Sequence, residues 1–396
     1  MKVTKLITIL FTVLLINESV QAIPAFARKY NISCMTCHSP SVPKLKPYGD
    51  QFAGDGFKLS DYQSPRYFTE TGDQKLSLIR NFPLAVRIDG YVQAVFDENS
   101  KTDLSAPYLI KLLSGGEISE HLAYYFYFYM DEHGEVAGVE DAYLMYDNLF
   151  NTEIDIYLGQ FQVSDPLFKR ELRLTFEDYH LYTARIGLSD ISMKYDKGIM
   201  ITYGLPTGTG FVMEVVNGNG LTETGGLNLF DKDKYKSFLG RVSQGIGDIA
   251  SVGLVGYFGK EEITSEAGMV TNQVFFLGPD ASLTFSDKWE INMQYLLRND
   301  TEVLTPGNIE AMDDINTHGV LGEVIYSPRG DESDWYAVGL YNFVESDYNP
   351  ADYHSATLHM GYLLRRNVRL SAEFTGVFTD PDNPWGRLSL GFTSAF

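Results

Sequence analysis

The chain has 396 residues, enough for one large closed sheet or for two or more soluble domains. Its 52 Asp and Glu residues against 31 Lys and Arg give a formal net charge of −21. Such a charge excludes nucleic acid as a partner, because phosphate binding relies on Lys and Arg. An aromatic content of 14% excludes a disordered chain, and a mean hydropathy of −0.14 excludes a helical membrane protein.

Residues 1–22 have the composition of a secretory signal peptide. Lys2 and Lys5 precede an apolar run of 11 residues over 6–16, and small residues follow up to Ala22. The run is shorter than the ~20 residues of a spanning helix, so we expect a cleaved signal rather than an uncleaved anchor. No later stretch is long enough for a transmembrane helix. An exported chain of this kind can cross a membrane only as a β-barrel.

Residues 23–80 are irregular in pattern and carry the two cysteines of the chain. Residues 34–38 read Cys-Met-Thr-Cys-His, the attachment pattern of c-type haem, in which two thiols bond to the porphyrin and the histidine binds iron. A thioredoxin-like dithiol needs a βαβ setting, a zinc site needs further ligands, and a disulfide leaves His38 without a role. We therefore predict one covalent haem c, with Cys34 and Cys37 as anchors and His38 as the proximal ligand.

From residue 82 onward, polar and apolar residues alternate, as in strands with one wet and one apolar face. Alternation alone also fits a soluble sandwich. The export signal, a last strand that stops on Phe396, and long connections alternating with short ones favour an outer-membrane barrel. The sixteen predicted strands span 82–96, 107–118, 121–130, 140–147, 153–163, 194–205, 210–217, 236–244, 249–259, 271–285, 289–298, 318–327, 334–344, 353–364, 368–378 and 385–396.

The predicted fold class is therefore all-β, with three parts along the chain. Residues 1–22 form the signal peptide, 23–80 a short c-type haem plug, and 81–396 a sixteen-stranded antiparallel transmembrane β-barrel of porin type. The even strand number places both ends of the barrel in the periplasm. The predicted location is the outer membrane, with its lipid as a partner.

The plug has no second axial ligand of the usual kind, because 39–120 contain no His and no Met. The distal ligand then comes from the barrel, or it is water, Tyr or Lys. By strand alternation His359 and His121 face inward, and each is a candidate distal ligand. The alternative for each is an ordinary lumenal side chain.

Tyr125, Tyr127 and Tyr129 share a predicted lumenal face. A packing ladder against the plug is favoured over a redox-active stripe. The long segment 164–193 carries Lys169, Arg170, Arg173 and Arg185, and we expect it to fold inward and narrow the pore.

Acidic residues crowd three predicted outer loops. A negative rim would concentrate cations, Fe²⁺ included, whereas the alternative is that these charges merely solvate the loops. The residues are Asp131, Glu132, Glu135, Glu140 and Asp141; Glu261, Glu262 and Glu266; and Asp300, Glu302, Glu310, Asp313 and Asp314.

Residues 23–59 resemble the start of the fused outer-membrane cytochrome–porin family. The likeness rests on the haem motif, on residues 23–28 (IPAFAR), on 43–52 (PKLKPYGDQF), and on Gly54 and 56–58 (GFK). The resemblance implies one covalent haem in a plug joined to a porin of about sixteen strands. It also implies that Cys34 and Cys37 anchor the haem and that His38 is the proximal ligand. The best-known members are iron oxidases of Fe(II)-oxidising bacteria.

The sequence predicts an outer-membrane electron conduit. A single haem takes electrons from an extracellular donor, with Fe(II) as the candidate, and passes them to a periplasmic carrier such as a soluble cytochrome c. With Fe(II) as donor the activity is that of an Fe(II):cytochrome c oxidoreductase. The alternative is a passive diffusion porin or transporter whose haem plug is structural or gates the pore. A peroxidase or ligand-sensing haem would require an open distal position.

Overall fold

A computed structural model describes residues 25–59, 72–73, 75–76, 79, 82–222, 227–265, 268–306 and 311–396. Sixteen strands form one closed antiparallel barrel in which each strand pairs with its neighbours in sequence. The predicted sixteen-stranded barrel is confirmed, whereas the signal peptide 1–22 lies outside the described residues. The strands are β1 (Leu84–Phe96), β2 (Lys101–Ser119), β3 (Leu122–Glu132), β4 (Gly138–Tyr146), β5 (Ile154–Gln162), β6 (Tyr195–Gly204), β7 (Thr209–Val216), β8 (Ser237–Ile246), β9 (Ala250–Ser265), β10 (Gly268–Phe285), β11 (Trp289–Val303), β12 (Met312–Tyr326), β13 (Trp335–Ser346), β14 (Tyr353–Arg365), β15 (Val368–Val377) and β16 (Trp385–Ala395).

The last strand closes the barrel against the first. β16 pairs with β1 over ten residues, and Val86 and Phe396 exchange backbone hydrogen bonds of 2.6 and 2.8 Å. Closure removes the unpaired strand edges that hydrocarbon cannot solvate. The terminal aromatic residue predicted to end a barrel strand therefore lies at the seam.

Alternation along each strand separates a lipid face from a lumenal face. On β14, Leu358 is 69% exposed whereas His359 is 2% exposed. Rings of Trp289, Tyr326 and Trp335 contact one another outside the barrel, at the end where short turns join the strands. Such an aromatic girdle marks a membrane–water interface. The apolar outer face confirms the predicted place in the outer membrane.

The plug consists of short helices. They are α1 (Ala25–Tyr30), a 3₁₀ turn (Cys34–Thr36) and α2 (Pro47–Gly54). Phe52 of α2 is buried, and its ring lies 5.3 Å from Phe26 and 6.0 Å from Phe57. No helix in the described part of the chain has the length and apolar character needed to cross a bilayer.

The plug sits in the periplasmic mouth of the barrel. Three of its lysines form ion pairs of 2.6 Å with acids on or beside the short turns. The turns that carry or adjoin these acids join β4 to β5, β10 to β11, and β12 to β13. The plug is therefore fastened on opposite sides of the mouth. The pairs are Lys44–Glu290, Lys46–Asp331 and Lys58–Asp147.

Residues 164–193, the inner loop, fold into the lumen as predicted. Leu181, Tyr182 and Ile191 are buried and belong to one apolar core with wall residues of β9 to β13, Tyr257 and Leu340 among them. The loop contains 3₁₀ turns at Arg170–Leu172 and His180–Tyr182. Three further 3₁₀ turns lie in other connections, at Leu149–Asn151, Gly330–Glu332 and Asn349–Ala351.

Several strands extend further at the outer end than the sequence predicts. β3, β4, β9, β11 and β12 include acidic residues that were expected in outer loops, so the predicted loop positions of those acids are wrong. The reason is that alternation of apolar residues stops where the wall leaves the lipid, although strand pairing continues. The acids that lie in strands are Asp131, Glu132, Glu140, Asp141, Glu261, Glu262, Asp300, Glu302, Asp313 and Asp314, whereas Glu266 and Glu310 lie outside the described residues.

Candidate functional site

The haem motif forms one tight turn. The backbone carbonyl of Cys34 accepts hydrogen bonds from the amides of Cys37 (3.2 Å) and His38 (2.9 Å). The Ser33 hydroxyl accepts a bond from the Met35 amide and caps the turn. Both thiols are free and half-buried, and burial raises the pKa of each. The turn therefore holds two protonated thiols and an imidazole side by side.

The His38 ring is oriented by backbone carbonyls. Its Nδ1 lies 3.2 Å from the Pro43 carbonyl oxygen and 3.1 Å from that of Lys44. Because a carbonyl only accepts, Nδ1 carries the hydrogen, which leaves Nε2 with its lone pair. Burial lowers the pKa of His38 and so favours the neutral ring. Metal-binding histidines have this tautomer and this type of partner, so the residues fit a haem iron.

Close packing against α2 supports the motif. A Cβ on Gly49 would lie 2.3 Å from the Cys37 carbonyl oxygen, so only glycine allows this approach. The Arg366 guanidinium donates to the carbonyls of Asp331 and Ser333, and its charge acts on the Cys34 thiol. The motif therefore lies beside the turns that join β12 to β13 and β14 to β15, at the periplasmic end.

His359 is buried in the lumen, as predicted. Its Nδ1 lies 2.9 Å from a Glu373 carboxylate oxygen, and its Nε2 lies 3.5 Å from the Tyr336 hydroxyl. The Tyr336 ring lies over Gly361 and is fully buried. Both ring nitrogens of His359 therefore have neighbours, and no described contact joins His359 to residues 34–38. Its role as distal ligand stays a prediction.

His121 lies at the periplasmic mouth of the barrel. It lies in the turn between β2 and β3, where its ring stacks on Tyr146 at 5.8 Å. Its Nδ1 is 3.9 Å from Asp147, the residue that pairs with Lys58 of the plug. The strand begins only at Leu122, so alternation does not reach His121, and its role as distal ligand stays a prediction. The Lys58 side of the mouth is also opposite the haem motif.

The three predicted lumenal tyrosines form a column that begins at the plug. Phe57 stacks on Tyr125 with ring centroids 5.4 Å apart, and Tyr127 and Tyr129 continue the column with a spacing of 5.6 Å. Tyr127 is fully buried and bonds to the Tyr195 hydroxyl. The column is a packing ladder from the plug towards the outer half of the lumen.

Charged pairs fasten the inner loop to the wall beside this column. Glu171 accepts bonds from the Tyr129 hydroxyl (2.6 Å) and the Lys111 ammonium (3.1 Å). Burial opposes ionisation of Glu171, but Lys111, Arg173 and Tyr129 outweigh it and lower the pKa of this carboxyl to about 2. Bonds from His180 and Tyr353 likewise overcome burial and lower the pKa of Glu177 to about 2.

We expect the inner loop to loosen in acid. A carboxyl with a depressed folded pKa contributes stability above its ordinary pKa of 4.5, and that contribution is lost as the pH falls towards 2. Channel conductance and its noise should therefore rise over this window in planar bilayers. Glu171→Gln should raise the conductance and its noise already at pH 7, because Lys111 loses its charged partner. The control Glu332→Gln, in an exposed turn, should match the unmodified protein. A conductance independent of pH from 4.5 to 2 would contradict this account.

The predicted acidic rim is largely structural. Asn272 donates to Glu261 (3.0 Å) and to Asp300 (2.9 Å), and so brings together acids from two of the predicted clusters. Glu261 also binds the inner loop at Ser189 and at the Asp190 amide. Within the described ranges, no group of three or more His, Cys, Asp or Glu side chains is placed to hold a metal ion.

Sequence reasoning missed the lysines that fasten the plug. One signal was present: residues 25–59 contain five basic and two acidic side chains, in a chain with a net charge of −21. A basic segment in so acidic a chain indicates an internal partner for its charges. The identity of the acids that receive them depends on strand pairing and could not be read from spacing.

The barrel resembles solved porins. No protein-family model matches the chain, and neither does any curated protein. An anion-selective porin from Comamonas acidovorans matches with a TM-score of 0.59 and 12% identity, over 80% of this chain and 99% of that one. The outer membrane channel DcaP of Acinetobacter baumannii has a TM-score of 0.54 and 16% identity, over 80% and 97% of the two chains. Pseudomonas putida OprB has a TM-score of 0.55 and 9% identity, over 80% of this chain and 94% of that one. At these identities the shared property is the fold, and the chain has the fold of an outer-membrane porin.

Proposed function

We propose that this protein is an outer-membrane electron conduit with one covalent haem c in its plug. The orientation of His38 carries the proposal, since backbone carbonyls hold Nδ1 and leave Nε2 for iron beside two free thiols. When bound, the haem supplies a one-electron couple. Cys34 and Cys37 would anchor it, and His38 would be its proximal ligand.

The residues around the motif hold it in a fixed place at the periplasmic mouth. The ion pairs of Lys44 and Lys46 lie on the motif side, and that of Lys58 lies opposite. A soluble carrier such as a periplasmic cytochrome c would approach from this end. The barrel wall keeps lipid away from the motif, and the apolar core under the inner loop limits the passage of water and solutes.

The donor would act from the outer end of the barrel. Fe(II) remains the candidate because residues 23–59 resemble the iron-oxidising cytochrome–porins. The described acids do not assemble a ferrous site, so Fe(II):cytochrome c oxidoreductase activity rests on that resemblance. Electrons from outside must cross most of a hydrocarbon layer of ~30 Å to reach a motif at the periplasmic end.

Intact cells provide the test of conduction. Cells that make the protein are mixed with Fe(II) while the absorption of c-type haem is followed. We expect reduced haem bands after Fe(II) addition, and reoxidation when an oxidised periplasmic cytochrome c is supplied to purified protein in liposomes. A haem that stays oxidised with Fe(II) outside, but is reduced by dithionite, would contradict conduction from that donor.

A passive diffusion porin is the second candidate. It is favoured by the porin fold and by an inner loop that narrows the lumen at mid-height. On this account the plug is a structural or gating element, and the haem is inert towards outside donors. Liposome swelling with small solutes measures this activity directly: rapid swelling with an inert haem supports the porin, and tight liposomes with a reducible haem support the conduit.

A further inference from the structure

A cleft of about 590 Å³ opens at the outer mouth of the barrel. It lies between the connections 347–352 and 378–384, which follow odd-numbered strands and so lie opposite the plug. Tyr353 lies on the same, lumenal face of β14 as the buried residues Ser355 and Thr357. Val377 of β15 pairs directly with Trp385 of β16. The side chains of Tyr353, Val377 and Trp385 therefore line the cleft from inside the wall.

The floor of the cleft is held rigid. The Tyr353 hydroxyl donates to Glu177 at 2.5 Å, and the His180 ring stacks on Tyr353 with centroids 3.6 Å apart. Arg387 donates to the other carboxylate oxygen of Glu177. A ring fixed in this way can present its surface to a ligand without losing further rotamer entropy on binding.

The lining combines ring surfaces with oxygen acceptors. Asp352, Asp380 and Asn383 lie at the rim, and Lys and Arg are absent from the described lining. Asp352 accepts one bond from the Ser346 amide, and its second oxygen has no hydrogen-bond partner among the described residues. Arg387 below the floor is neutralised by its pair with Glu177, so the charges that the rim presents are carboxylates, which repel anions. The described residues form no three-ligand metal site.

We propose that this cleft binds a neutral polyhydroxylated solute, a sugar or a short oligosaccharide. Apolar sugar faces would pack on Tyr353 and Trp385, and hydroxyl groups would donate to Asp352 and the rim amides. The volume lies within the range of small-molecule sites. The site is independent of the haem motif, which occupies the other end of the barrel.

Trp385 provides the readout. The chain has three tryptophans, and the other two, Trp289 and Trp335, lie on the lipid face at the periplasmic end. In a Trp289→Phe/Trp335→Phe background of the full-length protein, titration with maltotriose should give a saturable change in fluorescence. Tyr353→Ala should weaken the apparent affinity ~tenfold, and Asp352→Asn, which preserves the shape of the site, should weaken it too.

Tyr362→Ala is the matched control, because Tyr362 lies on the same strand but faces lipid. It should leave the titration unchanged, and heat-modifiable migration on gels shows that each variant has folded. A flat titration with maltotriose would overturn the proposal. A saturable response to MnCl₂ with none to maltotriose would also overturn it, in favour of a cation site.

Discussion

Replacing both thiols, in Cys34→Ala/Cys37→Ala, should abolish covalent haem and with it the absorption of a c-type cytochrome. The two thiols are the cysteines of the chain, so no other thioether can form. The plug should still dock, because the cluster of Phe26, Phe52 and Phe57 and the three lysine ion pairs do not involve sulfur. Intact mass and haem staining after denaturing electrophoresis measure the result.

His38→Ala separates anchoring from ligation. This variant should keep the haem mass on the chain but shift the absorption spectrum, because the imidazole held at Pro43 and Lys44 is gone. Gln51→Ala, an exposed change on α2, should leave mass and spectrum unchanged. If the mass of the native protein equals that of the polypeptide alone, no haem is bound covalently, and the proposed electron conduit is contradicted.

Arg298→Leu should detach the inner loop from the wall and destabilise the barrel by ~3–5 kcal/mol, the usual cost of breaking a buried ion pair from one side. The Arg298 guanidinium donates to both Asp300 oxygens (2.6 and 2.8 Å), and it also binds the Ser189 hydroxyl and the Ile191 carbonyl of the loop at 3.0 Å. Arg298 is 3% exposed and Asp300 is fully buried. Without the guanidinium, Asp300 keeps a buried charge with no cationic partner, and the Asn272 amide is its remaining side-chain donor.

Urea unfolding in detergent and channel conductance together test this expectation. Arg298→Leu should lower the unfolding midpoint and raise the conductance, since the loop no longer narrows the lumen. Arg329→Ala is the control: its pair with Asp334 is more than half exposed on both sides, and exposed pairs contribute ~0–1 kcal/mol. Equal stability and conductance in Arg298→Leu and native protein would show that the apolar core alone holds the loop.

The alternation of polar and apolar residues predicted the barrel because every strand that crosses the membrane exposes one face to lipid and the other to the lumen. Leu358 and Met360 meet hydrocarbon whereas Thr357 and His359 meet the lumen, so a period of two persists wherever the wall crosses the membrane. Beyond the lipid this constraint ends. Glu261 and Asp300 then read as loop residues, although they belong to strands whose pairing continues outward.

The haem stays a prediction, based on two thiols and a histidine at the spacing of c-type haem attachment. The partner of His38 was not readable, since the carbonyls of Pro43 and Lys44 reach its ring only after the segment turns back. His121 and His359 show the same limit. Alternation predicted the lumenal face correctly for His359, which lies within a strand. His121 lies in a turn, where alternation does not determine the orientation of a side chain.

By itself the sequence determined the strand number and the lipid-facing side of strands such as β14, because both depend on neighbours along the chain. It also predicted the export signal and the haem. Only the tertiary structure decided that the plug lies in the periplasmic mouth, that acids from different strands fasten the inner loop, and that Tyr353 and Trp385 share a cleft. Those contacts join residues up to hundreds of positions apart, as with Lys44 and Glu290. Their geometry follows from the closure of the barrel, which no local pattern specifies.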